Sequence, residues 1–231
     1  FVAFFAVGAY VCALLTADSP YAIAQYVEWF PVFNWWTSLV FSVVCALIVG
    51  ILLGIPVLKI RGDYLAVATL ATGEITRVLV LSDFATPLLA GPQGIHNIPS
   101  PTLFTGILID DPIELYFVTL GAAGLAAWIA HRLENSRLGR AWTAIRDDED
   151  VAQALGVNLL NVKLLAYGLG AAFAGLAGAI FATMLKSIYP HSFQLLISIN
   201  VLALIIVGGM GSLPGVVLGA LVLIGLPELM R

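Results

Sequence analysis

Apolar runs broken by short polar stretches set the pattern of this chain. Residues 1–15, 38–58, 64–81, 113–130, 164–185, 193–207 and 216–229 are almost wholly apolar. Within each run the apolar residues are continuous rather than alternating, which predicts helices and not barrel strands. The runs at 38–58 and 164–185 reach the roughly 20 residues that a helix needs to cross a bilayer core. The run at 1–15 reads as a partial span, and 64–81 is long enough but carries Glu74 and Arg77. The stretches between the runs differ in character. Residues 16–37 hold Asp18 and Glu28 but no Lys or Arg, and their Tyr21, Tyr26, Trp29, Trp35 and Trp36 suit an interfacial aromatic belt. Residues 82–112 are rich in Pro and Gly, with Asp83, Asp110 and Asp111 and again no Lys or Arg.

Composition turns these runs into membrane spans. The 231 residues are 61% hydrophobic and 10% charged, against roughly 25% charged in soluble domains, and the mean hydropathy is +1.01. The fold class expected is all-α: one polytopic helical membrane domain over residues 1–231, with a polar loop at 131–163. Most basic residues fall at Lys59, Arg61 and between Arg132 and Lys163, which places those loops in the cytoplasm by the positive-inside rule. Strict alternation then holds as far as Val207 but leaves Arg231 outside, so either 64–81 or 216–229 is re-entrant, or further chain resolves the count. A start at Phe1 inside an apolar run and a stop straight after PELM point to a fragment at both ends. The net charge of −4 says little about nucleic acid, but Lys and Arg cluster at span ends and not in a groove-tracking stripe. Cys12 and Cys45 lie in apolar runs and read as small buried hydrophobes.

Small residues mark where helices touch. Gly170, Ala174 and Gly178 recur every four residues, flanked by Ala171, Gly175 and Ala179, and Gly211, Gly215 and Gly219 repeat the spacing. Such stripes let helix backbones approach closely in lipid.

The longest polar run, SRLGRAWTAIRDDEDVAQALGVNLLNVK at 136–163, combines Arg137, Arg140, Arg146 and Lys163 with Asp147, Asp148, Glu149 and Asp150. A short helix is expected in its middle. Asp147 or Asp148 caps it, acids occupy the first turn, and Gly156 ends it in the left-handed conformation. Val151, Ala152, Ala154 and Leu155 give that helix an apolar side. The pattern fits either a solvated connector or a docking surface facing a partner.

Inside the membrane, TLATGEI (residues 69–75) puts polar groups where lipid should be. Glu74 and Arg77 are three apart and can pair on one helix face, and charge at that depth is costly. Thr69, Thr72, Gly73, Glu74 and Arg77 are therefore the candidates for lining a substrate pathway. AGPQGIHN at 90–97 fits a tight structural turn, or else an outer gate or docking surface. His131 and His191 have no Cys or carboxylate at metal-ligand spacing, and Ser212 in GGMGSLPG is no nucleophile elbow, so no metal or catalytic residue is assigned. No G-x-x-x-x-G-K-[ST] occurs, so ATP, if it drives the protein, is bound by a partner.

Four stretches together resemble one family: FFAVGAY (4–10), LKIRGDYLAVATLATGEITRVL (58–79), GPQGI (91–95), and the run from SRLGRAWTAIRDDEDVAQALGVN through KLLAY, AGLAGAIFA and GGMGSLPGVVLGA to LPELMR. They are similar to the permease subunits of bacterial high-affinity branched-chain amino-acid ABC importers. Many relatives carry two glycines before the outer-loop proline, where this chain has Ala90 and Gly91. The resemblance implies an inner-membrane fold of about ten helices in two related halves. It also implies a second permease subunit, two cytoplasmic ATPase subunits that bind the ATP, and a periplasmic substrate-binding protein. Arg140, Arg146, Asp147, Asp148, Val151, Leu155 and Gly156 then match the segment that couples such a permease to its ATPase. A permease of the same family for urea or short amides fits the span pattern equally well. A self-contained secondary transporter is the alternative from another class.

Overall fold

The computed structural model describes residues 2–17, 34–58, 63–82, 85–101, 109, 111–209 and 211–225. Its elements in order are α1 (Val2–Thr16), α2 (Trp35–Val57), α3 (Asp63–Leu81), α4 (Thr86–Leu89), a 3-10 turn (Gly91–Gln93), β1 (Ile95–His96), α5 (Pro112–Glu134), α6 (Arg137–Asp147), α7 (Glu149–Ala154), α8 (Leu159–Leu185), β2 (Ser187–Ile188), a 3-10 turn (Pro190–Ser192), α9 (Leu195–Gly208), α10 (Leu213–Ala220) and a π-helical turn (Leu221–Gly225). Among the described residues, four segments are long and apolar enough to cross a membrane: Trp35–Val57, Pro112–Glu134, Leu159–Leu185 and Pro190–Gly208. The all-α membrane architecture read from the sequence is the one observed.

The body is a three-helix core in which α1, α2 and α8 pack mutually. Lipid gives helices no hydrophobic drive to associate, so close van der Waals contact must hold them, and small residues permit it. A methyl on Gly178 would lie 2.0 Å from the Phe5 carbonyl oxygen, and one on Gly8 would lie 2.2 Å from that of Gly175. Gly175 meets Ala46 on α2, and Gly50 meets Ala171. The tight seam of α8 therefore runs through Gly168, Ala171, Gly175, Gly178 and Ala182, all buried. This corrects the expected stripe: Gly170 and Ala174 are only half-buried. Most hydroxyls inside the core are satisfied locally, whereas among the described residues the Tyr10 hydroxyl and the Trp35 indole N–H have no partner. Ser42 donates to the Ser38 carbonyl (2.8 Å), Thr16 to that of Cys12 (2.7 Å) and Thr183 to that of Ile180 (2.7 Å), as helix backbones in lipid require.

Trp35 was expected in an interfacial belt, but it is 4% exposed and packs with Cys12 and Ala179. An indole suits either place, and here the small residues of α1 and α8 open a socket for it. Tyr21, Tyr26 and Trp29, like Lys59, Arg61, Asp83, Asp110 and Arg231, lie outside the described residues.

Two loops meet at one end of the bundle. Ile95 and His96 pair antiparallel with Ile188 and Ser187. Gly94 (φ 72°) leaves no room for a side chain, since a methyl would sit 2.1 Å from the Ile188 carbonyl oxygen. AGPQGIHN is thus a packed turn pinned to the loop after α8. At the opposite end α6 lies near the start of α10, and Gly208 of α9 and Gly215 of α10 approach backbone to backbone. Residues 85–101 and 186–194 share one end, and 136–158 and 211–213 the other, in keeping with the alternation of ends expected from the sequence.

Candidate functional site

The polar run at 136–163 folds as two helices, where one was expected. Ser136 caps α6 by accepting from the amides of Leu138 (3.2 Å) and Gly139 (3.3 Å). Gly139 must be glycine, because a methyl there would lie 1.9 Å from the Glu134 carbonyl oxygen. Asp148 ends α6 and starts α7. Its amide donates to Ala144 (3.0 Å), while its Oδ1 accepts from the amides of Asp150 (2.9 Å) and Val151 (3.0 Å). Of the two expected caps, Asp148 is the one used, and Asp147 instead lies 3.9 Å from Arg146. α7 is shorter than the expected 147–155, and Leu155 forms its C-cap. Gly156 (φ 87°) takes the expected left-handed position.

The apolar residues of α7 divide into two sets. Ala152 is buried against the body, whereas Val151 is 54% and Leu155 78% exposed. Two further ties hold the pair of helices to α8. The Trp142 indole N–H donates to the Val162 carbonyl (2.9 Å), and Lys163 pairs with Glu149 (2.5 Å). Trp142 was not singled out from sequence. An indole N–H is a donor needing a partner when buried, which was the available signal. Arg140 is exposed. Arg146 is turned toward the α9–α10 hairpin, its Nη1 2.7 Å from where a methyl on Gly211 would stand. Together with Leu133, Trp142, Phe173, Ser212 and Leu213 it lines an open cavity of about 450 Å³.

The second cluster lies on α3, away from α6 and α7. Arg77 and Glu74 form an ion pair, with Arg77 Nε donating to Glu74 Oε1 at 2.9 Å. The helix presents them differently. Glu74 lines an open groove with Val67, Ala71, Val78 and Leu195, while Gly73, Thr76 and Arg77 face α1. Thr72 donates to the Ala68 carbonyl (2.8 Å) and Thr76 to that of Thr72 (2.9 Å), so the hydroxyls are held along the helix. Thr69 is half-buried on the same helix.

A bundle of apolar helices, four of them long enough to span a bilayer, with a capped surface helix at one end defines a polytopic membrane protein. The chain belongs to the family described as branched-chain amino acid transport system / permease component, whose model matches residues 1–231. It is 39% identical to the high-affinity branched-chain amino acid transport system permease protein LivM of Escherichia coli, over 99% of this chain and 56% of that protein. It is 28% identical to the corresponding LivH of Salmonella typhimurium over 62% of this chain and 49% of the relative. A probable branched-chain amino acid transport permease protein LivM of Methanocaldococcus jannaschii is 26% identical over 79% of this chain and 53% of its own length. The chain thus spans about half the length of the curated relatives it matches. No solved structure matches it.

Proposed function

We propose that the chain is part of the translocation subunit of an ATP-binding-cassette importer for branched-chain amino acids, in the cell inner membrane. In this reading the end carrying α6 and α7 faces the cytoplasm. Two ATPase subunits dock there and bind the ATP, a second permease subunit completes the passage, and a periplasmic binding protein delivers the amino acid. The relatives' names supply the substrate class. The observation that carries the coupling role is α7 itself. It is capped by Asp148 and Gly156, fixed to the body through Ala152, Trp142 and Lys163, and leaves Val151 and Leu155 standing in solvent. An apolar pair four apart on a pre-ordered helix suits insertion into a groove of a partner, and Arg140, Asp147 and Asp150 around it set register. Arg146 acts on the permease side of this joint, against Gly211. Thr69, Thr72, Gly73, Glu74 and Arg77 on α3 are proposed to line the pathway.

The test is the double variant Val151→Ala with Leu155→Ala in the complete transporter. Truncating buried anchors costs about 2 kcal/mol or more, roughly 30-fold in affinity. The variant is expected to lose co-purifying ATPase, or to hydrolyse ATP without uptake, while its helices remain inserted. Retention of both the ATPase and full uptake would make α7 an ordinary connector.

A further inference from the structure

A closed seam between α1 and α3 carries three features that packing alone does not explain. Val2, Ala6 and Tyr10 lie four residues apart on one face of α1. Gly73, Thr76, Arg77 and Val80 lie on the facing side of α3, and Pro190 with Phe193 closes the gap. Together they enclose a cavity of about 10 Å³, room for one water at most.

Tyr10 is the first feature. It is 4% exposed, its ring is held 5.8 Å from that of Phe193, and among the described residues its hydroxyl has no hydrogen-bond partner. A buried unpaired hydroxyl destabilises a fold, so a phenylalanine would serve this packing better. Gly73 is the second. It is buried, yet a methyl added to it would meet nothing within 4 Å, in contrast with Gly8 and Gly178, which backbone contact forces to be glycine. The third is Arg77, which lines the same cavity and whose guanidinium reaches Glu74 through Nε and Nη2. A guanidinium offers five N–H donors in a planar fork, and a carboxylate is its best-matched ligand. The two walls also differ in how they are held. α1 is locked into the glycine seam of α8, whereas α3 packs lightly against its neighbours.

We propose that this seam is the shut section of the translocation passage, and that Tyr10 and Arg77 hydrogen-bond the α-carboxylate of the amino acid when α3 moves away from α1. The proposal rests on the importer reading above and extends it to residues and atoms. The Tyr10 hydroxyl is paired only in the loaded state. Gly73 keeps the passage wide where the substrate goes by. Glu74 balances the charge of Arg77 while the passage is empty, and Val2, Ala6, Val80 and Phe193 offer an aliphatic side chain an apolar wall.

The test uses the complete transporter, with all subunits, in proteoliposomes containing ATP and with radiolabelled leucine outside. Tyr10→Phe is expected to lower kcat/KM about ten-fold, the effect of one hydrogen bond to a charged group, with the melting temperature unchanged or raised. Gly73→Ala, whose methyl meets nothing within 4 Å, is expected to lower uptake several-fold with the melting temperature unchanged or raised. In a variant with Cys12 and Cys45 replaced by Ala, Gly73→Cys is expected to react with a small methanethiosulfonate reagent more slowly when leucine is present. Full uptake by Tyr10→Phe, uptake and melting temperature falling together in it, or no leucine protection of the cysteine would each overturn the seam assignment. Wild-type transporter that takes up no branched-chain amino acid would defeat the importer reading and the carboxylate assignment with it. Wild-type uptake that the variants leave untouched defeats the seam alone.

Discussion

Gly178→Ala tests whether backbone contact, rather than side-chain interdigitation, holds the core together. The added methyl would stand 2.0 Å from the Phe5 carbonyl oxygen and 3.0 Å from the Ala9 amide nitrogen. Ordinary contact is ~3.5 Å, so α1 and α8 must separate by about 1.5 Å at this point. Neither neighbour is a flexible side-chain end; both are α1 backbone, which yields only if the helix shifts as a unit. A gap of 0.5–1 Å already forfeits about a quarter to a half of each contact's attraction, and α1 buries Ala6, Ala9, Cys12 and Ala13 along this seam. The cost is expected to reach about 3 kcal/mol, a fall of roughly 6 °C or more in Tm. The measurement is thermal unfolding of the purified protein in detergent, followed by size-exclusion chromatography after heating. Gly124→Ala on α5 is the matched control, because a methyl there meets nothing within 4 Å. It should be neutral or stabilising by up to about 1 kcal/mol, since alanine is the better helix former. If Gly178→Ala loses no more stability than Gly124→Ala, the backbone-contact argument fails.

Two further expectations concern topology and the surface helix. A single cysteine at Gln93 should react with impermeant thiol reagents added outside intact cells, while one at Arg140 should be shielded; labelling in the reverse order overturns the orientation. Asp148→Ala removes the oxygen that caps both Asp150 and Val151, and Gly156→Ala forces a side chain into a φ of 87°. Each should cost about 1 kcal/mol, read as faster amide hydrogen exchange confined to α7 with protection of α8 unchanged.

How much of this was legible in the sequence follows the range of the interactions. Capping is local, so Asp148 and Gly156 were readable from a few neighbouring residues, as was the Glu74–Arg77 pair at helical spacing. α6 was hidden because charged residues open, interrupt and close it, four in eleven. Its signal was Leu138, Trp142 and Ile145 at helical spacing, with Ala141 and Ala144 between them. On α8 the expected Ala171, Gly175, Gly178 and Ala179 are buried, and only Gly170 and Ala174 were misplaced, for a different reason. Glycine and alanine occur all around that helix, and only the position of Gly8, Phe5 and Ala46 decides which face is tight. Trp35 read as belt, because belt and core are both apolar settings for an indole. The pairing of Ile95 with Ile188 joins residues with no shared local pattern. The polar strip on α3 was identified as one cluster, but the division between a groove-facing Glu74 and an α1-facing Arg77 depends on where α1 lies.

The ties from α6 and α7 onto the first turns of α8 have a mechanical consequence. α8 has 27 residues and no proline or described break, so it is a rod roughly 40 Å long. Val162 and Lys163, where Trp142 and Glu149 grip it, sit at one tip. A tilt of about 4° applied there displaces the far tip by about 3 Å by simple leverage over that length. The close seam obliges α1 and α2 to swing with the rod rather than slide along it. A small push at the surface helix is thereby converted into lateral travel at the opposite end, beside the strands Ile95–His96 and Ser187–Ile188, with no need for any helix to bend or unwind.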